Sequence, residues 1–170
     1  PVAEVGAIFN GNSASANDHA NGLSKMLKEL KIPVKFYHKD VDLSLLKLLI
    51  ITEDLGDDKE FAGKVKSFLE SGKKVIFTGE GILFAERFNL VNYVKVVEKD
   101  TSDNAYYSIN DGMRWSMYNP SLIIKNNGGK VIADYVKNIF NLIWDGRQSY
   151  FYRPQGEKTE YSACVLGENS

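Results

Sequence analysis

With 170 residues, 44% hydrophobic and 25% charged, the chain has an ordinary globular composition and the length of one domain with a substantial core. Its net charge of -1 leaves no basic excess to argue for nucleic acid. No apolar run approaches the roughly 20 residues that span a bilayer, so neither nucleic acid nor a membrane is an expected partner.

The N-terminus, Pro1-Val2-Ala3-Glu4, is neither a signal nor a transit peptide, which favours the cytoplasm. A chain starting on Pro1 is expected to be a piece cut from a longer protein. Val2 to Phe9 alternates and predicts a strand. A polar loop, Asn10 to Asn17, follows. A helix then runs to about Lys31, with Leu23, Met26, Leu27 and Leu30 on one face. Pro33 stops it, and Val34 to Tyr37 reads as a short strand. Leu43 to Ile51 is strongly apolar and ends in Leu48-Leu49-Ile50-Ile51, a strand covered on both faces. Asp57 and Asp58 open a second helix whose inner face is Phe61, Val65, Phe68 and Leu69. Gly72 ends it, and Val75 to Phe77 is the next strand.

The order β-α-β-β-α-β with short links predicts a flavodoxin-like α/β three-layer sandwich with a mostly parallel central sheet. Beyond Phe77 the pattern is less regular. Leu83 to Phe88 suits a short helix, and Tyr93 to Glu98 and Tyr106 to Ile109 suit strands of an antiparallel excursion. Asn126-Asn127-Gly128-Gly129 is a turn signal. Lys130 to Trp144 reads as a long helix with Ile132, Val136, Ile139, Phe140 and Ile143 inward, and Tyr161 to Leu166 as a final strand.

Chemistry is expected to be sparse. The turn Thr78-Gly79-Glu80-Gly81 stands where many α/β enzymes carry a Ser or Cys nucleophile, and it holds a glutamate instead. A class I glutamine amidotransferase resembles this strand order, with Cys in that turn and a distant His and acid. Here His19 and His38 lie early and no histidine follows, so that arrangement is not available. Glu80 reads as a carboxylate favoured by a helix N-terminus. Cys164 excludes an internal disulfide because it is the only cysteine, and it reads as a small buried apolar residue in a strand. The adjacent pairs Glu53-Asp54 and Asp57-Asp58 read as solvated carboxylates around a helix start, and two isolated histidines make no zinc site.

Asn10 to Asn17 lacks a flavodoxin phosphate loop, the dinucleotide glycines and the P-loop lysine, so no cofactor is expected. Asn10, Ser13 and Glu80 remain the candidate small-molecule or carbohydrate contacts, at the carboxyl edge of the sheet. Aromatic residues crowd the last third. The run Tyr150-Phe151-Tyr152-Arg153-Pro154 is hard to bury completely, which makes Tyr150, Phe151, Tyr152 and Arg153 candidate interface residues.

Tyr118, Val131 to Tyr135, Phe140-Asn141-Leu142-Ile143-Trp144-Asp145, Pro154 and Thr159 to Val165 together carry a family likeness. With the earlier run Phe68 to Gly81, they resemble the β-galactosidase trimerisation domain of glycoside hydrolase family 42 and its fucosidase-like relatives. The resemblance implies a single amidotransferase-like domain over residues 1–170 without catalytic residues. It implies a place after a catalytic barrel in a longer enzyme, with self-association through that parent protein. A glycine-rich turn and one more strand usually follow in the family, so the last strand is expected to be missing here.

Overall fold

The computed structural model describes residues 4–10, 14–102, 104–109, 112–117, 122–139 and 155–167. They fall into two compact units, one running to Val91 and the other starting at Asn92.

The first unit is built from β1 (Val5–Ile8), α1 (Ala14–Glu29), β2 (Val34–Tyr37), β3 (Leu48–Ile51), α2 (Lys59–Glu70), β4 (Lys74–Phe77) and α3 (Gly81–Arg87). Its four strands are parallel in the order β2-β1-β3-β4. Successive side chains of a strand face opposite ways, so the Leu-Leu-Ile-Ile of β3 feeds two cores. Leu49 and Ile51 join Ile8, Phe61, Val65, Phe68 and Phe84 on the face that α2 and α3 cover. Ile50 joins Ala7 and Leu27 on the α1 face. Phe61, Val65 and Phe68 are each buried, worth roughly 1.5–3 kcal/mol apiece. Asp58 caps α2 by accepting from the Phe61 amide at 3.0 Å. Helix α1 buries a narrower stripe than its sequence suggests. Leu27 is buried and Leu23 partly so, but Met26 and Leu30 are 57% and 67% exposed.

The second unit is built from β5 (Val94–Lys99), β6 (Ala105–Ser108), β7 (Arg114–Met117), β8 (Leu122–Asn126), β9 (Lys130–Asn138) and β10 (Gln155–Leu166). They form one antiparallel sheet, β5-β8-β10-β9-β6-β7. The expected flavodoxin-like sandwich with a mostly parallel central sheet therefore does not describe this chain, nor does an amidotransferase-like fold. Six of the ten strands among the described residues lie in the antiparallel sheet.

The predicted helix from Lys130 is the main local error. Its first nine residues are strand β9. Ala133 and Tyr135 are buried on one face and Val136 on the other, so the strand lacks a clean alternation. Ile132, Val136 and Ile139 fall at a helical spacing by accident: only Val136 is buried, and Ile139 is 66% exposed rather than inward. Residues 140–144 lie outside the described residues. Cys164 sits on a strand, β10, as expected, but it is exposed rather than buried.

Candidate functional site

The sheet order makes one place special. From β1 the chain crosses by way of α1 on one face, and from β3 by way of α2 on the other. The carboxyl ends of β1 and β3 thus flank a topological switch point, where open parallel sheets form a crevice. Asn10 follows β1 there, and its amide N–H donates to Glu53 Oε1, just after β3, at 3.3 Å. Thr52 beside it is buried.

The Thr78-Gly79-Glu80-Gly81 turn closes on the same edge. The Thr78 amide donates to the Ile51 carbonyl at 2.9 Å. Gly79 adopts φ +55°, and a Cβ there would lie 3.2 Å from the Thr52 carbonyl oxygen and 3.9 Å from His19 Cε1. Gly81 starts α3 so close to β3 that a Cβ would sit 2.2 Å from the Ile51 carbonyl oxygen. Glu80 occupies the cap position of α3 with φ -72° and ψ -9°, and its side chain makes no capping hydrogen bond. It is exposed.

Asn10 and Glu80 thus share an edge, but β3 lies between their strands, which sets them roughly 9–10 Å apart across the sheet. Ser13 lies outside the described residues, as do Tyr150, Phe151, Tyr152 and Arg153. His19 is the edge residue that sequence reasoning passed over. Its signal was present, because His19, Leu23 and Leu27 recur every four residues on the sheet-facing side of α1. Among the described residues no group of three or more His, Cys, Asp or Glu side chains could hold a metal ion.

Electrostatics brace the edge. Arg87 at the end of α3 donates to both Asp54 oxygens, at 2.6 and 2.7 Å, and to the Gly56 carbonyl at 3.0 Å. The guanidinium holds the Asp54 carboxyl below the usual carboxylate range. Asp57 lies 3.4 Å from Arg87 Nε. Asp54 and Asp57 thus share one guanidinium.

A second concavity lies elsewhere in the first unit. The connection between β2 and β3 runs beside α2 and leaves an open cleft of about 830 Å³. Lys39 ties the start of this connection to Asp58 at 2.7 Å. Lys73 Nζ ties the other end, donating to the Ser44 carbonyl at 2.6 Å and lying 5.0 Å from the Phe68 ring centre.

The second unit holds a buried polar network. Tyr135, fully buried, donates its hydroxyl to Asp100 Oδ2 at 2.5 Å. Ser102 donates to Oδ1 from its amide at 2.8 Å and its hydroxyl at 2.6 Å. Burial pushes the Asp100 carboxyl up, but these hydrogen bonds together outweigh it and hold the group below its ordinary value. On β10, partial burial pushes the Cys164 thiol up, away from the thiolate that a nucleophile needs.

No family model matches the sequence, and no curated protein matches it. Solved structures do. The chain is similar to Gan42B, a GH42 beta-galactosidase of G. stearothermophilus, with a TM-score of 0.68 at 16% identity over 83% of this chain and 25% of that one. It is similar to alpha-L-fucosidase isoenzyme 2 from Paenibacillus thiaminolyticus, with a TM-score of 0.69 at 18% identity over 98% of this chain and 27% of that one. It is similar to the cold-adapted beta-galactosidase from Rahnella sp. R3, with a TM-score of 0.64 at 16% identity over 99% of this chain and 29% of that one. At such identities the likeness is one of fold. This chain spans between a quarter and a third of the length of those glycoside hydrolases.

Proposed function

We propose that this chain is a non-catalytic assembly segment, of the trimerisation type, within a larger glycoside-hydrolase protein. The supporting observation is the match of nearly the whole chain to about a quarter of several glycoside hydrolases. The edge chemistry supports the same reading. The turn where a nucleophile would stand carries Glu80, and the single thiol is tuned away from reactivity. In this reading chemistry belongs to a barrel domain upstream, and this segment contributes contacts, including those of Tyr150 to Arg153. Deleting the segment from the whole protein should lower the number of subunits per particle, taken from the light-scattering mass divided by the subunit mass, and an unchanged subunit number would refute it.

A second reading is a small-molecule site at the carboxyl edge. It is favoured by the Asn10–Glu53 contact at the switch point. Calorimetry with nucleotides and sugars tests it: heat that disappears in Glu53→Gln or in Glu80→Ala supports it, and no heat with any of them counts against it.

A further inference from the structure

The two faces of the first unit's sheet are covered unequally. Helices α2 and α3 lie on the face of Leu49, Ile51 and Phe77. Among the described residues, α1 is the only helix on the other face, where Leu23 and Leu27 pack on Ala7 and Ile50. Helices pack roughly 8–10 Å apart and strands about 4.8 Å, so one helix covers about half of a sheet in the order β2-β1-β3-β4. Strand β4, at the end of that order, shows the deficit. Ile76 pairs in register with Ile50 and faces the same side, yet it is 47% exposed where Ile50 is 2% exposed.

The flank of α1 that looks toward β4 is apolar as well. Strands β1 and β2 are parallel, so α1 between them runs against the strands. His19 identifies the flank, because its ring reaches the turn after β4: a Cβ at Gly79 would lie 3.9 Å from His19 Cε1. At 3.6 residues per turn, positions 26 and 30 fall within about 20° of position 19. Met26 and Leu30 therefore point the same way, and they are 57% and 67% exposed. Their heights match the strand. Seven helical residues and three strand residues each span about 10 Å, which sets Met26 level with Ile76. Met26, Leu30 and Ile76 thus form one apolar shelf beside the edge of the sheet.

The shelf is complementary to itself. A second α1 turned about a two-fold axis runs antiparallel to the first, and each contact occurs twice. With the axis level with Leu27, Met26 enters between Met26 and Leu30 of the second copy. Lys25 and Glu29, both exposed on the solvent side of this flank, then face Glu29 and Lys25 of the second copy. Gly22, where a Cβ would meet nothing within 4 Å, leaves room for Ile32 of the second copy, a residue 37% exposed. The same axis brings the two β4 edges together with Ile76 under the seam of the helices.

We propose that two copies of this chain associate about a two-fold axis through the α1 flank and the β4 edge. A two-fold contact cannot close a trimer, so it pairs particles and does not rest on the assembly reading. It is smaller than the 20–30 residues a side of a stable interface, so association of the isolated chain falls between about 10 μM and 1 mM. The test is sedimentation velocity of the 170-residue chain over that range. An even number of subunits per particle is expected at the highest concentration. Met26→Glu, Leu30→Glu and Ile76→Lys should each halve that number with an unchanged circular dichroism spectrum. Leu45→Glu, 69% exposed on the β2–β3 connection, should not change it. Lys25→Glu should weaken association about fivefold or more at low salt, and adding Glu29→Lys should restore it. An odd number of subunits at about 1 mM, no halving in Met26→Glu, halving in Leu45→Glu, or no rescue by the double charge reversal would each overturn the proposal. The number of subunits left after Met26→Glu reports the assembly reading and the halving reports this contact, so their failures are distinguishable.

Discussion

The same substitution at two glycines of the first unit should move stability in opposite directions. At Gly81 a new Cβ would lie 2.2 Å from the Ile51 carbonyl oxygen and 2.8 Å from its carbonyl carbon. Both are backbone atoms of β3, whose strand is paired on both sides, so neither can give way as a side chain would. Gly81→Ala must instead push α3 off the sheet, disturbing Phe84 and its contact with Phe61, whose ring centroids are 6.1 Å apart. Overpacking of this kind costs about 1–3 kcal/mol or more. At Gly63 the same methyl enters open space within a helix, which favours the folded state by roughly 0.4–1 kcal/mol. For a unit of this size each kcal/mol moves the melting temperature by about 4–8 °C. Thermal unfolding followed by circular dichroism should therefore show Gly81→Ala melting at least about 4 °C lower and Gly63→Ala a few degrees higher, on the same scale. A Gly81→Ala protein as stable as the parent would refute the close approach of α3 to β3. A destabilised Gly63→Ala would refute the open space beside Gly63.

Other outcomes follow from the polar groups. Tyr135→Phe removes the hydroxyl donor to Asp100 Oδ2, leaving those from Ser102 to Oδ1, and should destabilise by about 1–3 kcal/mol in urea unfolding. The folded Asp100 titrates below its unfolded value, so its contribution is complete above roughly pH 4 and is lost as pH falls through the lower folded pKa. The Tyr135→Phe deficit should accordingly shrink in strong acid, and a deficit constant with pH would contradict the network. Asp58→Ala removes the α2 cap and should cost about 1 kcal/mol, with a smaller loss for Asp58→Asn, by the same unfolding assay. Cys164 is exposed yet raised in pKa, so its alkylation rate should still be climbing above pH 8.5, where a free thiol is half ionised. A rate that levels off by neutral pH would mean an activated thiolate.

The two units differ in how far they could be read from sequence, and burial explains why. In the first, helices covered on one face alternate with short apolar strands, so element type and order were legible as far as Phe77. The misjudged residues there, Met26 and Leu30, lie at the margin of the α1 stripe, where periodicity cannot set how wide the buried face is. In the second unit β9 is buried on both faces, which erases the alternation that marks a strand. It lies between β10, the next strand of the chain, and β6, three strands earlier, a pairing that local sequence does not signal. That arrangement turned an expected sandwich of helices and parallel strands into a separate antiparallel sheet.

Site residues show the same division. Asn10 and Glu80 could be placed at strand ends from local order alone, whereas the Asn10–Glu53 contact depends on β1 and β3 becoming neighbours. The cleft was not legible at all. Its lining comes from Asp40 to Ser44 and from Gly63 to Lys73, which only the docking of the β2–β3 connection beside α2 brings together.

The most direct test of the assembly role is the solution mass of the whole protein with and without this segment. Light scattering at matched concentration, with hydrolytic turnover measured on both samples, separates association from chemistry. Removing the segment should lower the number of subunits per particle while hydrolytic chemistry persists in the remainder. An oligomer of unchanged subunit number, or a particle of unchanged size that has lost its chemistry, would contradict it.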